Sequence, residues 1–300
     1  MIYGVLLSCY TAASMKKRAW LLFAAATTLF WGVWGALIEL PEKAGFPATL
    51  GYAVWALTMV PCALVALRIA RWRLERDGRS VLLGCAVGIL GAGGQLMLFL
   101  ALRHGPAYLV FPIVSLYPVV TVLLSLWILG ERAGNRAWIG IVLSLPAMAM
   151  LSWQPPTRSS GPGYLWLPLV LLVFAAWGVQ TFVMKFASRR MQSESIFFYM
   201  AATAVGLVPV ALAMTDFSKP IEWGMRGPYL AAAVQVLNSV GALFLVYAVR
   251  FGKAIIVVPM TALAPVFTIV LSLALYHVVP GRVLVAGIGL ATAAIYLMAE

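Results

Sequence analysis

"LVFPIVSLYPVV" (residues 109–120) carries Pro112 and Pro118 inside an otherwise apolar run, and "IVVPMTALAPVF" (256–267) repeats the arrangement with Pro259 and Pro265. Proline removes a backbone donor and leaves an upstream helical carbonyl unpaired. In lipid that carbonyl must be satisfied by a neighbouring helix or by a water-lined cavity. The repetition is not confined to the prolines. A shift of 147 residues places Pro112 on Pro259 and Pro118 on Pro265 without a gap. The same shift places Gly94 on Gly241, Arg103 on Arg250, Gly105 on Gly252, Thr121 on Thr268, Ser125 on Ser272 and Gly140 on Gly287. From 84 to 126, nineteen of the 43 positions are identical to their partners, where a shared apolar composition would give a handful. The first two spans of each half match poorly; only Trp34 and Gly35 against Trp177 and Gly178 stand out, and that match needs a gap.

Composition fixes the class of protein that holds this repeat. A soluble domain is about 45–50% apolar and about 25% charged. This chain of 300 residues is 63% hydrophobic and 10% charged, with a mean hydropathy of +0.98. It is an all-α integral membrane protein on that ground. Apolar spans fall at 19–39, 48–68, 80–102, 106–129, 136–153, 163–184, 195–214, 228–249, 254–276 and 281–299. Each is close to the roughly 20 residues that cross a bilayer core as a helix. The organisation expected is an N-terminal segment 1–18, a five-helix repeat 19–153, a linker 154–162 and a second five-helix repeat 163–300. The Pro, Ser and Gly of "WQPPTRSSGPG" mark the linker. Five is odd, so the second copy enters the membrane upside down and the ten helices form an inverted repeat.

The net charge of +12 lies in short loops between spans, which suits membrane orientation and not nucleic acid. With the N-terminus cytoplasmic, fifteen of the 21 Lys and Arg fall inside and six outside, so both termini are expected in the cytoplasm. The first fourteen residues, "MIYGVLLSCYTAAS", are too short to span and lack a positive leader. They read either as an extension ahead of a start at Met15 or as a short interfacial segment. Cys9, Cys62 and Cys85 lack metal-ligand spacing, and His104 and His277 sit at span ends. No metal or cofactor is expected.

The stretch "LRHGPAYLVFPIVSLYPVVTVLLSLWILGERAGNRAWIGIVL" resembles the EamA-like branch of the drug/metabolite transporter superfamily. The Pro118 region, the step Gly130, Glu131, Arg132 after the fourth span, and Gly140 in the fifth carry the resemblance, which covers about 19–299. The second half keeps the Pro265 region but has His277, Val278 and Val279 at the corresponding step. The resemblance implies ten helices, an inverted repeat and a central cavity open alternately to each side. Transporters built from inverted repeats bind substrate near the midplane between the repeats.

Polar groups inside the membrane are costly and are the first candidates for such a site. Gln235, Asn238 and Ser239 share one face of span eight, while their repeat partners Gly88, Gly91 and Ala92 carry no polar side chain. Gln95 in span three and Gln180 in span six join them, with Trp34, Tyr117 and Trp177 as aromatic walls. Trp31 and Tyr199 are further aromatic candidates. The other reading of these polar groups is hydrogen bonding between helices, and it stays open. Pro112, Pro118, Pro259 and Pro265 are candidate hinges, or static features of membrane helices. Gly84, Gly88 and Ala92 offer a smooth ridge for close helix approach.

No Asp or Glu lies near the middle of any span; Glu39 sits at a rim, and Glu131 is placed to pair with Arg132 or Arg136. That leaves facilitated diffusion or export down a gradient, or coupling through Glu39. The function expected is a secondary transporter, an exporter or facilitator of a small metabolite such as an amino acid or other amphipathic solute. Proton-coupled transport of a sugar, nucleoside or organic cation is the alternative, and a channel or non-transport membrane protein is the alternative of another class. An enzyme is not expected: there is no H-E-x-x-H pattern and no pair of buried carboxylates. The partners are a small-molecule substrate and membrane lipid, with monomer or homodimer open. The location is the cell membrane.

Overall fold

The computed structural model describes residues 2–104, 107–153, 165–276 and 281–299, with backbone alone for 2–18, 107–109, 112 and 272–276. The linker expected at 154–162 and the step His277, Val278, Val279 lie outside the described residues. Among the described residues every element is helical. Among the described residues eight helices are long and apolar enough to cross a membrane, and two shorter apolar ones bring the number to ten. They are α1 (Ala19–Lys43), α2 (Ala48–Ile69), α3 (Gly78–His104), α4 (Ile113–Trp127), α5 (Asn135–Leu151), α6 (Trp166–Ala187), α7 (Ser193–Ala213), α8 (Met225–Phe251), α9 (Ala254–Leu271) and α10 (Arg282–Ala299). The helix of α1 begins at Ile2 and turns at Ile38 before Glu39–Lys43.

The proline segments break as their chemistry requires. The α4 region is two pieces, Ala107–Ser115 and Pro118–Trp127. The α9 region is likewise Ala254–Thr261 followed by Pro265–Tyr276. The break falls before the second proline of each pair, while Pro112 and Pro259 lie within the first pieces. Tight bonds to the third residue back carry the chain across: Leu116 N–H donates to Ile113 and Val119 N–H to Leu116, at 3.2 and 2.9 Å. Leu263 to Met260 and Val266 to Leu263, at 3.2 and 3.0 Å, are the same bonds one repeat later.

Helix packing obeys the same exchange of halves. α1 lies on α8 as α6 lies on α3; α2 lies on α8 as α7 lies on α3; α1 meets α9 as α6 meets α4. α5 with α10, and α2 with α7, map onto themselves. Lipid supplies no hydrophobic drive between helices, so small residues and side-chain hydrogen bonds set the contacts. Gly32 on α1 has no room for a Cβ, which would fall 2.3 Å from Phe267 Cβ and 3.1 Å from the Ala264 carbonyl. Gly178 on α6 is closed in by Val120 Cβ at 2.4 Å and the Tyr117 carbonyl at 2.8 Å, which are the partners of those two residues at the 147-residue shift. Thr268 Oγ1 donates to the Gly32 carbonyl at 2.9 Å, and Thr121 Oγ1 to that of Gly178 at 2.7 Å.

This pairing corrects one detail of the sequence alignment. Trp31 and Gly32, and not Trp34 and Gly35, are the counterparts of Trp177 and Gly178. Trp31 Nε1 donates to the Asn238 carbonyl at 3.3 Å, and Trp177 Nε1 to that of Gly91 at 3.2 Å. Asn238 and Gly91 are themselves repeat partners. The two Trp–Gly pairs on α1 are one helical turn apart, so sequence alone could not choose between them.

The ridge on α3 divides its work. Gly84 and Gly88 receive Tyr199 and Thr203 of α7, whereas Gly91 and Gly94 receive Gln180 and Trp177 of α6. Connections α2–α3, α4–α5, α6–α7 and α8–α9 share one face of the bundle, and it holds Arg71, Arg73, Arg76, Arg132, Arg189, Arg190 and Lys253. This is the basic face, and its opposite is the far face.

Candidate functional site

The expected site residues fall into two groups related by the exchange of halves. On the first side, Trp34 of α1 donates its indole N–H to Gln235 Oε1 of α8 at 3.0 Å. Gln235 is 5% exposed and returns its amide to the Gly51 carbonyl of α2 at 3.3 Å. One turn on, Ser239 is fully buried and its hydroxyl meets Thr58 Oγ1 of α2 at 2.9 Å. Ser239 is therefore engaged in helix–helix bonding. Asn238 is half-buried, and its carbonyl holds Trp31.

On the second side, Tyr117 beside the α4 break stands edge-on to Trp177 of α6, with ring centroids 6.0 Å apart. Gln180, one turn further along α6, fills the space above Gly91, where an added Cβ would come within 2.2 Å of its amide nitrogen. Gly91 lies in a five-residue π-helical turn, Ile89–Gly93, that interrupts α3. Such wide turns recur at functional positions because they re-aim backbone groups. Gln180 and Gln95 are both half-buried, and neither forms a hydrogen bond with another described residue. No hydrogen bond or ring contact joins the two groups among the described residues. Neither the cavity beside Trp72 on the basic face nor the one beside Pro47 and Phe99 on the far face, each about 330 Å³, is lined by them.

The basic face is closed by a charge pair that differs from expectation. Glu131 is 9% exposed and faces Lys185 of α6 at 3.7 Å, and not Arg132 or Arg136. Its second oxygen accepts the Ile255 N–H at 3.0 Å, capping the start of α9. Lys185 Nζ also donates to the Val249 carbonyl at 2.8 Å and to that of Gly252. One buried pair thus ties together α6, the end of α4, the end of α8 and the start of α9. With Trp31 aligned to Trp177, Lys185 corresponds to Glu39, which is 64% exposed and pairs with Lys43 on its own helix at 2.6 Å. Val278, the partner of Glu131, lies outside the described residues.

Both halves of the chain, 18–153 and 164–299, match the model of the EamA-like transporter family. The chain belongs to that family. It is 28% identical over 225 residues to the pseudopaline exporter CntI of Pseudomonas aeruginosa, covering 74% of this chain and 75% of that one. It is 25% identical over 209 residues to protein LicB of Haemophilus influenzae, covering 67% and 70%. It is also 25% identical over 289 residues to protein RarD of Streptomyces exfoliatus, covering 88% and 83%. A protein crystal structure shares the fold, with a TM-score of 0.72 at 20% identity over 93% of this chain and 97% of that one. The protein is thus a multi-pass membrane transporter of the drug/metabolite type.

In this EamA-like transporter two features escaped the sequence reading. Trp55 of α2 lies between Gly51 and Thr58 on the face that meets Gln235 and Ser239, and its Nε1 is buried without a partner. Its position within α2 was the available signal. Thr121 and Thr268 hold the glycine contacts of α6 and α1, and their identity at the 147-residue shift was legible without revealing that role.

Proposed function

We propose that this chain moves a small neutral or zwitterionic amphipathic metabolite outward across the cell membrane by alternating access, with both termini and the basic face in the cytoplasm. The observation that carries the reading is the pair of uncharged polar and aromatic walls on the two halves: Trp34 with Gln235, and Tyr117 with Trp177 and Gln180. Neither wall carries a formal charge; the Trp34, Trp177 and Gln235 polar groups are bonded within the protein, so these residues offer aromatic and apolar surface, while the Gln180 and Gln95 amides remain for a solute. A substrate with an unbalanced charge would be left uncompensated there. Trp34, Gln95, Tyr117, Trp177, Gln180, Gln235 and Asn238 are the proposed contacts, with Ser239 as support through Thr58. The breaks before Pro118 and Pro265 are the proposed hinges, Pro112 and Pro259 shaping their first pieces. The exporter named among the relatives supports the outward direction.

The test is reconstitution in liposomes with labelled amino acids, nucleosides and sugars, with and without a pH gradient. Counterflow of at least one zwitterionic or neutral solute is expected, and its loss in Trp177→Ala and Gln180→Ala with helical content unchanged. Undiminished counterflow in those variants would remove the assigned walls. Labelling that places Arg76 and Arg226 on the same side of the bilayer would remove the inverted arrangement as well.

A further inference from the structure

The turn that closes α2 on the basic face is unusual. Arg71 and Trp72 take φ of 54° and 59°, the left-handed region that bulky side chains rarely enter. The Trp72 N–H donates to the Leu67 carbonyl at 2.7 Å and that of Arg71 to Arg68 at 3.0 Å, so the turn seals the helix end in a form glycine normally supplies. It leaves Trp72 61% exposed, one helical turn from Ile69, which is 71% exposed. A tryptophan in that setting lies at the level of lipid headgroups.

Beyond the turn the chain tucks inward and its acids turn to backbone partners. Glu75 Oε1 accepts the Gln192 N–H at 3.3 Å, and the Glu75 carbonyl accepts the Tyr199 hydroxyl at 2.6 Å. Its other carboxylate oxygen is sealed from solvent and accepts no hydrogen bond. Asp77 caps α3 through the Ser80 N–H at 3.2 Å. The arginines are not consumed. Arg68, Arg71, Arg73, Arg76 and Arg79 are all exposed, and none forms an ion pair or hydrogen bond through its guanidinium among the described residues. A cavity of about 330 Å³ opens between Trp72, Arg73, Leu74, Glu75, Arg76 and Gln192, with the Glu75 carboxylate turned to the Gln192 N–H.

We infer that this cavity is a binding site for the phosphate of an anionic phospholipid in the adjoining leaflet, held by Arg73 and Arg76 with Trp72 and Ile69 against its glycerol and upper acyl region. Guanidinium forks match phosphate oxygens in pairs, and the two free forks flank an exposed tryptophan of the kind that anchors at the headgroup level. The strained turn holds the indole where a headgroup would be, as strain commonly does at ligand clamps. The site is separate from the transport walls and holds whichever way the chain faces.

The experiment uses the purified full-length protein in detergent, titrated with phosphatidylglycerol or phosphatidylcholine, with bound lipid counted by native mass spectrometry. Wild type is expected to prefer phosphatidylglycerol, and R73Q/R76Q to weaken that lipid about thirtyfold without changing phosphatidylcholine. The far-face variant K219Q should match wild type. If R73Q/R76Q is unfolded by circular dichroism, R73K/R76K supplies the reading: it keeps the charge, loses the fork and should fall between. Equal affinity for the two lipids, or phosphatidylglycerol binding unchanged in the arginine variants, overturns the site. Displacement of the lipid by glycerol phosphate at the same concentration would assign the site to a free phosphate ester and overturn the lipid.

Discussion

Lys185→Met tests the closure of the basic face. The ammonium it removes lies 3.7 Å from a Glu131 carboxylate oxygen, with side-chain exposures of 13% and 8% for the two residues. Solvent cannot replace a partner at that depth. The variant leaves the carboxylate with the Ile255 N–H as its remaining partner and strips the Val249 and Gly252 carbonyls of their shared donor. Removing one member of a buried pair costs about 3–5 kcal/mol. Glu131→Gln is gentler, because the amide oxygen still accepts from Ile255; a hydrogen bond to a charged group is worth about 1.5–3 kcal/mol. The double variant holds no stranded charge, so its cost should fall short of the sum by about 2 kcal/mol, within the range measured for groups in contact. Denaturant titration in mixed micelles, followed by circular dichroism, gives all three values. Single costs that add to within about 0.5 kcal/mol would show that the two residues do not act on each other. A Lys185→Met cost below about 1 kcal/mol would refute the burial argument itself.

Other outcomes follow from single contacts. Gly88→Ala should destabilise by about 1–3 kcal/mol, because its Cβ would fall 1.7 Å from Thr203 Oγ1 and 2.9 Å from Met200 Cα; Gly93→Ala, with nothing within 4 Å, is the control. Thr121→Val and Thr268→Val should each cost about 0.6–1.7 kcal/mol and do so alike, since each removes the same bond from one half; a large difference between them would argue against the pseudo-symmetry. Bonding to the Ser80 side chain and N–H holds the Asp77 carboxyl below the usual range. A depressed carboxyl stabilises above its unfolded value and loses that contribution as pH falls through its folded one. Acidification should therefore lower the thermal midpoint of wild type more than that of Asp77→Ala, and equal slopes would deny the cap.

The sequence by itself determined the membrane class, the ten helices, the repeat and the family. These rest on apolar length, composition and identity at a fixed shift, all carried along the chain. The proline pairs implied disturbed helices in α4 and α9, because a missing donor is a covalent fact; that the disturbance is a full break before Pro118 and Pro265 came from the structure. What the glycines met was decided by the tertiary structure alone. Gly91 was legible as a small residue, but only packing shows Gln180 resting on it. Trp31 and Trp34 were interchangeable one turn apart until Asn238 and Gln235 chose between them. Glu131 had arginines as sequence neighbours, yet folding gave it Lys185 from the other half of the chain. Pairings of that kind join residues far apart in sequence, and helix rotation fixes them in space to within a fraction of a turn, which local spacing does not specify.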